Sequence, residues 1–239
     1  MIADTESVAP GALPLYLQIS EMLIRDIAAG RLADGVRLSP EREMAAQLGI
    51  SIGTLRRALA DLTEKGLLER IQGSGNYVRQ QPAPKSVYAL FRLELTEGGG
   101  LPTAEVLDLG HGPKPQDLPE FGTDTHAWRI RRLRRLSGVP AAIEEIFLDA
   151  SYAAQMRAHA LSESLYLYYR DHLGLWIQRA EDRIDQGPLP PWTPLAFPVR
   201  PGTLLPRITR ISWSQHNTRA EVSRSWYDPA RVQYVARLK

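Results

Sequence analysis

Apolar side chains recur at spacings of three and four from Tyr16 through Ile19 and Leu23 to Ile27, the period of an amphipathic helix, and the run stops at Gly30. A second helix of about two turns is predicted to begin near Pro40 and end at Gly49. Ser39 is placed to cap it, and Glu41 and Glu43 fall in its first turn, where the helix dipole favours acids. Ser51 caps a third helix, in which Leu55, Leu59 and Leu62 share the inward face up to Gly66. Two strand-like pieces follow, Leu67 to Ile71 and Asn76 to Arg79, joined by Gly73, Ser74 and Gly75 at a tight hairpin tip.

The pattern then changes. Gln80, Gln81, Pro82, Ala83, Pro84 and Lys85 form a polar, proline-bearing stretch that propagates neither helix nor central strand. This predicts an N-terminal domain over residues 1–79, a linker over 80–85 and a second domain over 86–239. In the second domain strands dominate: Val87 to Leu95, Thr103 to Leu109, Trp128 to Leu136, Ala141 to Leu148, Leu175 to Ile184, Leu204 to Ser214, Ala220 to Tyr227 and Gln233 to Leu238. Helices are expected only over Ser151 to His159 and Ser162 to His172, the latter with Ser162 as cap and Leu165, Tyr169 and Leu173 at helical spacing. The fold class is therefore α+β, with an antiparallel-dominated sheet.

Composition narrows the chemistry. With 44% apolar and 23% charged residues over 239 positions, the chain has enough apolar side chains to build folded cores. It contains no cysteine, which excludes disulfides, thiol catalysis and thiolate zinc sites. The opening MIADTESVAP lacks the basic-then-apolar run of a signal peptide, and no eighteen apolar residues run together, so a cytoplasmic protein away from membranes is expected. The formal charge of +2 hides an uneven spread: residues 1–79 carry nine Lys and Arg against ten Asp and Glu. Any contact of that domain with nucleic acid must come from a local cluster, because counterion release counts the charges that reach phosphates.

A short helix, a tight turn at Leu48-Gly49-Ile50-Ser51 and a second helix make helix-turn-helix geometry, and the hairpin behind it adds a wing. The segments PLYLQISEMLIRDIAAGRL and RLSPEREMAAQLGISIGTLRRALADLTEKGLLERIQGSGNYV closely resemble the DNA-binding domain of GntR-family regulators. That resemblance implies DNA contacts at Arg42, Ser51, Thr54 and Arg56, with the wing tip at Gln72, Gly73 and Ser74. Ile52, Gly53 and Arg57 complete the candidate DNA surface, though solvated charge is an equal reading for Arg57 and a buried-edge role competes at Ile52. Position 52 departs from the arginine of many relatives, removing a guanidinium able to take guanine O6 and N7 together. The motif Leu38-Ser39-Pro40-Glu41-Arg42 departs from the usual Leu-Pro-Ser-Glu-Arg but keeps Arg42.

In the second domain five arginines fall within Arg129 to Arg135, and strand alternation sets Arg132 and Arg134 on one face with Ile130, against Arg129, Arg131 and Arg135 with Leu133. Two arginines sharing a face with apolar groups suit a carboxylate or phosphate. From Val87 onward the chain resembles the UTRA domain, the ligand-sensing half of the HutC-type branch of the GntR family, with a chorismate-lyase-like fold. The motifs are Arg132-Leu-Arg134, Pro140-Ala-Ala-Ile-Glu144, Ser162-Glu-Ser-Leu-Tyr166, Arg179-Ala-Glu-Asp-Arg183 and Glu221-Val-Ser-Arg-Ser-Trp-Tyr227. The resemblance implies an effector pocket at Arg132, Arg134, Ser164 and Tyr166 for an anionic group, with Glu144, Glu221 and Tyr227 toward the rest. The competing reading is scaffold: arginines salt-bridged to Glu144 and Glu221, and tyrosines packed in the core.

A homodimer on palindromic operator DNA, acting as a repressor tuned by a carboxylated or phosphorylated metabolite, is the expected function. The alternative is a lyase-like enzyme. Against it, the five histidines form no metal-ligand spacing, there is no G-x-S-x-G elbow, and Gly73-Ser-Gly-Asn-Tyr-Val lacks the third glycine of a dinucleotide loop. No catalytic residue, metal or cofactor is expected.

Overall fold

The structure, a computed structural model, describes residues 13–79, 88 and 90–237. The chain divides into two compact units, Leu13–Phe91 and Arg92–Val235 within those residues. The stretch 80–85 expected as a linker lies outside the described residues.

The first unit holds α1 (Leu15–Ala28), α2 (Glu41–Leu48), α3 (Ile52–Glu64) and a hairpin of β1 (Leu68–Ile71) and β2 (Gly75–Val78). Its core joins Ile19, Leu23, Ile24 and Ile27 of α1 to Leu55, Ala58, Leu59 and Leu62 of α3. Polar pins fix the register of the two helices: Ser20 donates to Asp61, and Lys65 Nζ lies 2.7 Å from Asp61 Oδ2 and 3.7 Å from Glu21 Oε1. Ser51 caps α3 as expected, its hydroxyl accepting the Thr54 N–H at 3.1 Å. Ser39 does not cap α2: the N-cap is Pro40, with no side-chain hydrogen bond, and one residue too many separates the Ser39 hydroxyl from the first-turn amides. Gly49 ends α2 at φ +65°, a left-handed turn that lets Ile50 N–H return to the Ala45 carbonyl at 3.0 Å and launches α3.

The second unit contains β3 (Leu93–Leu95), β4 (Pro102–Pro113), β5 (His126–Leu136), β6 (Val139–Asp149), α4 (Leu165–Leu173), β7 (Ile177–Pro188), β8 (Leu204–Ser214), β9 (Arg219–Tyr227) and β10 (Val232–Tyr234). Six strands make one antiparallel sheet in the order β4-β5-β6-β9-β8-β7, while β10 pairs with β3 separately. The α+β class and antiparallel sheet are as the sequence predicts. Three local expectations fail. Among the described residues of the strand expected over 87–95, only Leu93–Leu95 is strand, and the Phe91 N–H turns back onto the Tyr88 carbonyl instead; residues 87 and 89 lie outside the described residues. No α-helix forms over 151–159: single 3₁₀ turns occur at Ala150–Tyr152 and Ala158–Ala160, and the Asp149 carboxylate takes the Ser151 amide in the first of them. The last long helix starts at Leu165 with Ser164 as N-cap, since the Ser162 hydroxyl is engaged by the Ser164 amide itself.

The sheet has two buried faces. One carries Leu133, Ile143, Leu205 and Trp226 under Leu189 and Phe197, and further along Ala127, Phe147, Ile211 and Val222 under Phe121. The other faces α4 and is unusually polar.

Candidate functional site

In the first unit α2, the start of α3 and the hairpin enclose a groove of about 740 Å³. It gathers Arg42, Arg56, Gln72, Gly73 and Ser74, five of the predicted DNA-contact positions, and adds Arg37, Arg70 and Glu41. Arg56 Nε donates to Glu41 Oε2 at 2.6 Å, yet its side chain remains 64% exposed. The other predicted positions do not line the groove. Ser51 and Thr54 bond each other at 2.9 Å within the cap, Gly53 is exposed beside them and Ile52 is half-buried at the helix start. Arg57 turns away, its guanidinium 5.0 Å from the centre of the Tyr16 ring on α1.

Arg37 and Arg70 escaped the sequence reading. Arg37 lies in an aperiodic stretch and is placed by an isolated bridge to Tyr77, while Arg70 pairs across the hairpin with Asn76. Nothing local distinguishes either from ordinary surface charge.

In the second unit the polar face brings the predicted effector residues into one layer. Arg132 pairs in register with Glu144, and Arg134 with Ala142, which in turn pairs with Tyr227. Arg132 Nη2 reaches Glu144 Oε2 at 2.7 Å, and Arg134 holds the same carboxylate through Nε at 3.3 Å and Nη2 at 3.2 Å. Both guanidiniums also donate to the Glu163 carbonyl just before α4, at 3.1 and 3.2 Å. Arg132 and Arg134 are each 4% exposed, and Arg132 Nε is buried with no acceptor among the described residues. Burial pulls the Arg132 pKa down. Burial would raise Glu144, but the two guanidiniums outweigh it and hold its pKa at about 2.

Glu221 is not an ion-pair partner of this arginine pair, contrary to the scaffold reading. Its carboxylate accepts from Tyr169 at 2.7 Å, Ser212 at 3.2 Å and Tyr166 at 3.3 Å, and burial raises its pKa. Tyr166 Oη also lies 2.9 Å from the Ser212 hydroxyl, and burial followed by the Glu221 charge raises its pKa. Ser164, 4% exposed, spends its hydroxyl on the Leu167 amide at 3.4 Å, and Tyr227 is buried at the Arg134 end of the layer. The sequence reading missed the Tyr169 hydroxyl and Ser212. Tyr169 sits on the apolar stripe of α4, and its polar tip became visible only once β9 lay opposite.

Comparison with known proteins identifies the chain. Residues 15–78 match the family described as "Bacterial regulatory proteins, gntR family", and residues 97–233 match the UTRA domain. The HTH-type transcriptional regulator SmoD of Agrobacterium fabrum is 59% identical over 229 residues, covering 96% of this chain and 98% of SmoD. The chain belongs to the GntR family. Its UTRA domain places it in the HutC-type branch, among DNA-binding transcription regulators that answer to a small-molecule effector. Another GntR relative, the HTH-type transcriptional repressor NagR of Bacillus subtilis, is 26% identical over 228 residues, covering 93% of this chain and 94% of NagR. The crystal structure of possible transcriptional regulator YydK from Bacillus subtilis has the same fold, with a TM-score of 0.53 at 20% identity, covering 95% of this chain and all of that one. These relatives are regulators and not enzymes, so the lyase-like alternative is set aside.

Proposed function

We propose that this GntR regulator represses transcription as a homodimer on a palindromic operator, and that a small organic anion held by Arg132 and Arg134 alters that binding. Repression is supported by likeness to NagR, whose name makes it a repressor. The dimer follows from geometry: one recognition helix reads only a few base pairs, and two-fold symmetry doubles the site. The arginine-lined groove at Arg42 and Arg56 supplies the phosphate and base contacts.

The effector chemistry rests on one observation: two buried guanidiniums converge on the Glu144 carboxylate, and Arg132 Nε has no acceptor among the described residues. A buried donor left unbonded costs about 1–3 kcal/mol, more when charged, so an incoming oxyanion is favoured there. The hydroxyls of Tyr166 and Ser212 and the Glu221 carboxylate then face the remainder of the ligand as hydrogen-bonding groups.

The test is a thermal-shift panel of small carboxylates and phosphates, followed by operator binding with each hit. Arg134→Ala should keep ligand-free operator affinity while losing the ligand's effect on DNA, because the sites communicate only through the ligand's preference between two conformations. Loss of thermal stability and DNA binding together would return the arginine pair to a scaffold role. A neutral ligand bound equally by mutant and wild type would sink the anion assignment.

A further inference from the structure

The side of the sheet turned away from α4 carries a second arginine constellation that neither the DNA groove nor the effector layer uses. Arg129 and Arg131 point opposite to Arg132, and register aligns Arg131 with Glu145 and then with Arg224 two strands over. These residues line a pocket of about 380 Å³, large enough for a small ligand, walled on one side by Pro113 at the end of β4 and by Pro115 and Asp117 beyond it. Phe147 and Ala127 give it an apolar floor. Strands β5 and β9 lie two spacings apart, about 10 Å, a gap that two arginine side chains can close from either side.

The three guanidiniums are not equally committed. Arg131 bonds Glu145 at 2.8 Å and stacks 4.8 Å from the centre of the Trp192 ring, so it is spent on the scaffold. Arg129 gives Nη2 to Asp108 at 2.8 Å, but its Nε is buried with no acceptor among the described residues. Gly110 permits that pose, since a Cβ there would stand 3.2 Å from Arg129 Nη2. Arg224 has a side chain only 16% exposed, and Nη2 contacts both the Asp117 carbonyl at 2.9 Å and Asp117 Oδ2 at 2.8 Å. The Asp117 side chain is 69% exposed, so a solvated loop carboxylate sits on a largely buried guanidinium.

We propose that this pocket is a second binding site, for a small oxyanion with an apolar body, gripped between Arg129 and Arg224. The ligand oxyanion replaces the Asp117 carboxylate on Arg224 and supplies an acceptor for Arg129 Nε, while Phe147 packs against its carbon skeleton. Plain surface pairing accounts for Arg224 and Asp117 but leaves the buried Arg129 nitrogen unanswered. The site shares no residue with the effector layer, so it stands or falls separately from the proposed function.

The experiment is calorimetric titration of the full-length protein with inorganic phosphate in one arm and succinate in the other, each run with and without Arg134→Ala so that an equivalent bound at Arg134 is counted apart. One Arg224-dependent equivalent of succinate, whose carbon skeleton meets Phe147, is expected to bind, and more tightly than inorganic phosphate, which has none; phosphate binding as tightly would overturn the apolar contact. Adding Arg224→Ala should abolish it, with Arg224→Lys as a charge-preserving control should the alanine variant melt early. Asp117→Asn should tighten binding roughly two- to fivefold, the range that losing a partly exposed competing pair implies. A purely structural Arg224–Asp117 pair predicts no such gain. Absence of binding in both arms, or binding indifferent to Arg224 and Asp117 substitutions, overturns the proposal.

Discussion

Glu144 and Glu221 are buried carboxylates on one sheet face whose pKa values move in opposite directions. Arg132 and Arg134 draw the Glu144 proton off, while among the described residues Glu221 is bonded by the hydroxyls of Tyr166, Tyr169 and Ser212, so burial prevails there. A depressed carboxylate contributes stability that is fully present above its unfolded value, 4.5, and is lost as the pH falls toward its folded value, about 2. Glu144→Gln should therefore flatten the acid limb of a stability-versus-pH curve between those values. It should also cost about 3–5 kcal/mol near neutrality, since it takes the Glu144 charge away from two buried guanidiniums. Urea melts across that range check both; an unchanged acid limb would mean that Glu144 is not the counter-ion.

Among the elements, the groove between α2, α3 and the hairpin is where sequence signals meet. Arg42 comes from a helix stopped at Gly49 and Arg56 from a helix capped by Ser51, whereas Arg37 and Arg70 arrive from an irregular stretch and a strand. Because all four line one groove, Arg70→Ala should weaken operator binding as Arg56→Ala does. If Arg70 meets a phosphate, the loss should be similar for all sequences, and the slope of log affinity against log salt should become shallower by about 1. If Arg56 reads a guanine, its removal should cost about 1–3 kcal/mol at one base position. The Glu41 carboxylate now on Arg56 must give way in either case. Filter-binding at several salt concentrations separates these outcomes, and a folded Arg70→Ala variant with wild-type affinity and slope would remove Arg70 from the interface.

For the molecule as a whole, the proposed homodimer makes a geometric prediction. Footprinting should protect two half-sites with their centres about one helical turn, or a multiple of it, apart, and sedimentation should give twice the chain mass. A single asymmetric half-site bound by one chain would refute it. Net charge gives no guide to this behaviour: the DNA-binding unit is close to neutral, and the proposed contacts rest on arginines brought together in the groove.

The sequence by itself determined the order of the elements, the winged helix-turn-helix, the antiparallel sheet and the division of the arginine strand into two faces, because each depends on periods, caps and turns a few residues long. Ser51 could be read as a cap because its partner, the Thr54 amide, is three residues away. Partnership across the fold could not be read this way. That Glu144 would take both arginines, that Tyr169 would lend its hydroxyl to Glu221, and that Arg224 would line one pocket with Arg129 depended on strand order and register. So did the failure of the helix expected over 151–159, where the carboxylate at the end of β6 captured a backbone amide. Hydrogen bonds and ion pairs are short-ranged, so Tyr169 and Glu221, 52 positions apart, acquire a joint chemistry only when tertiary packing brings them to 2.7 Å.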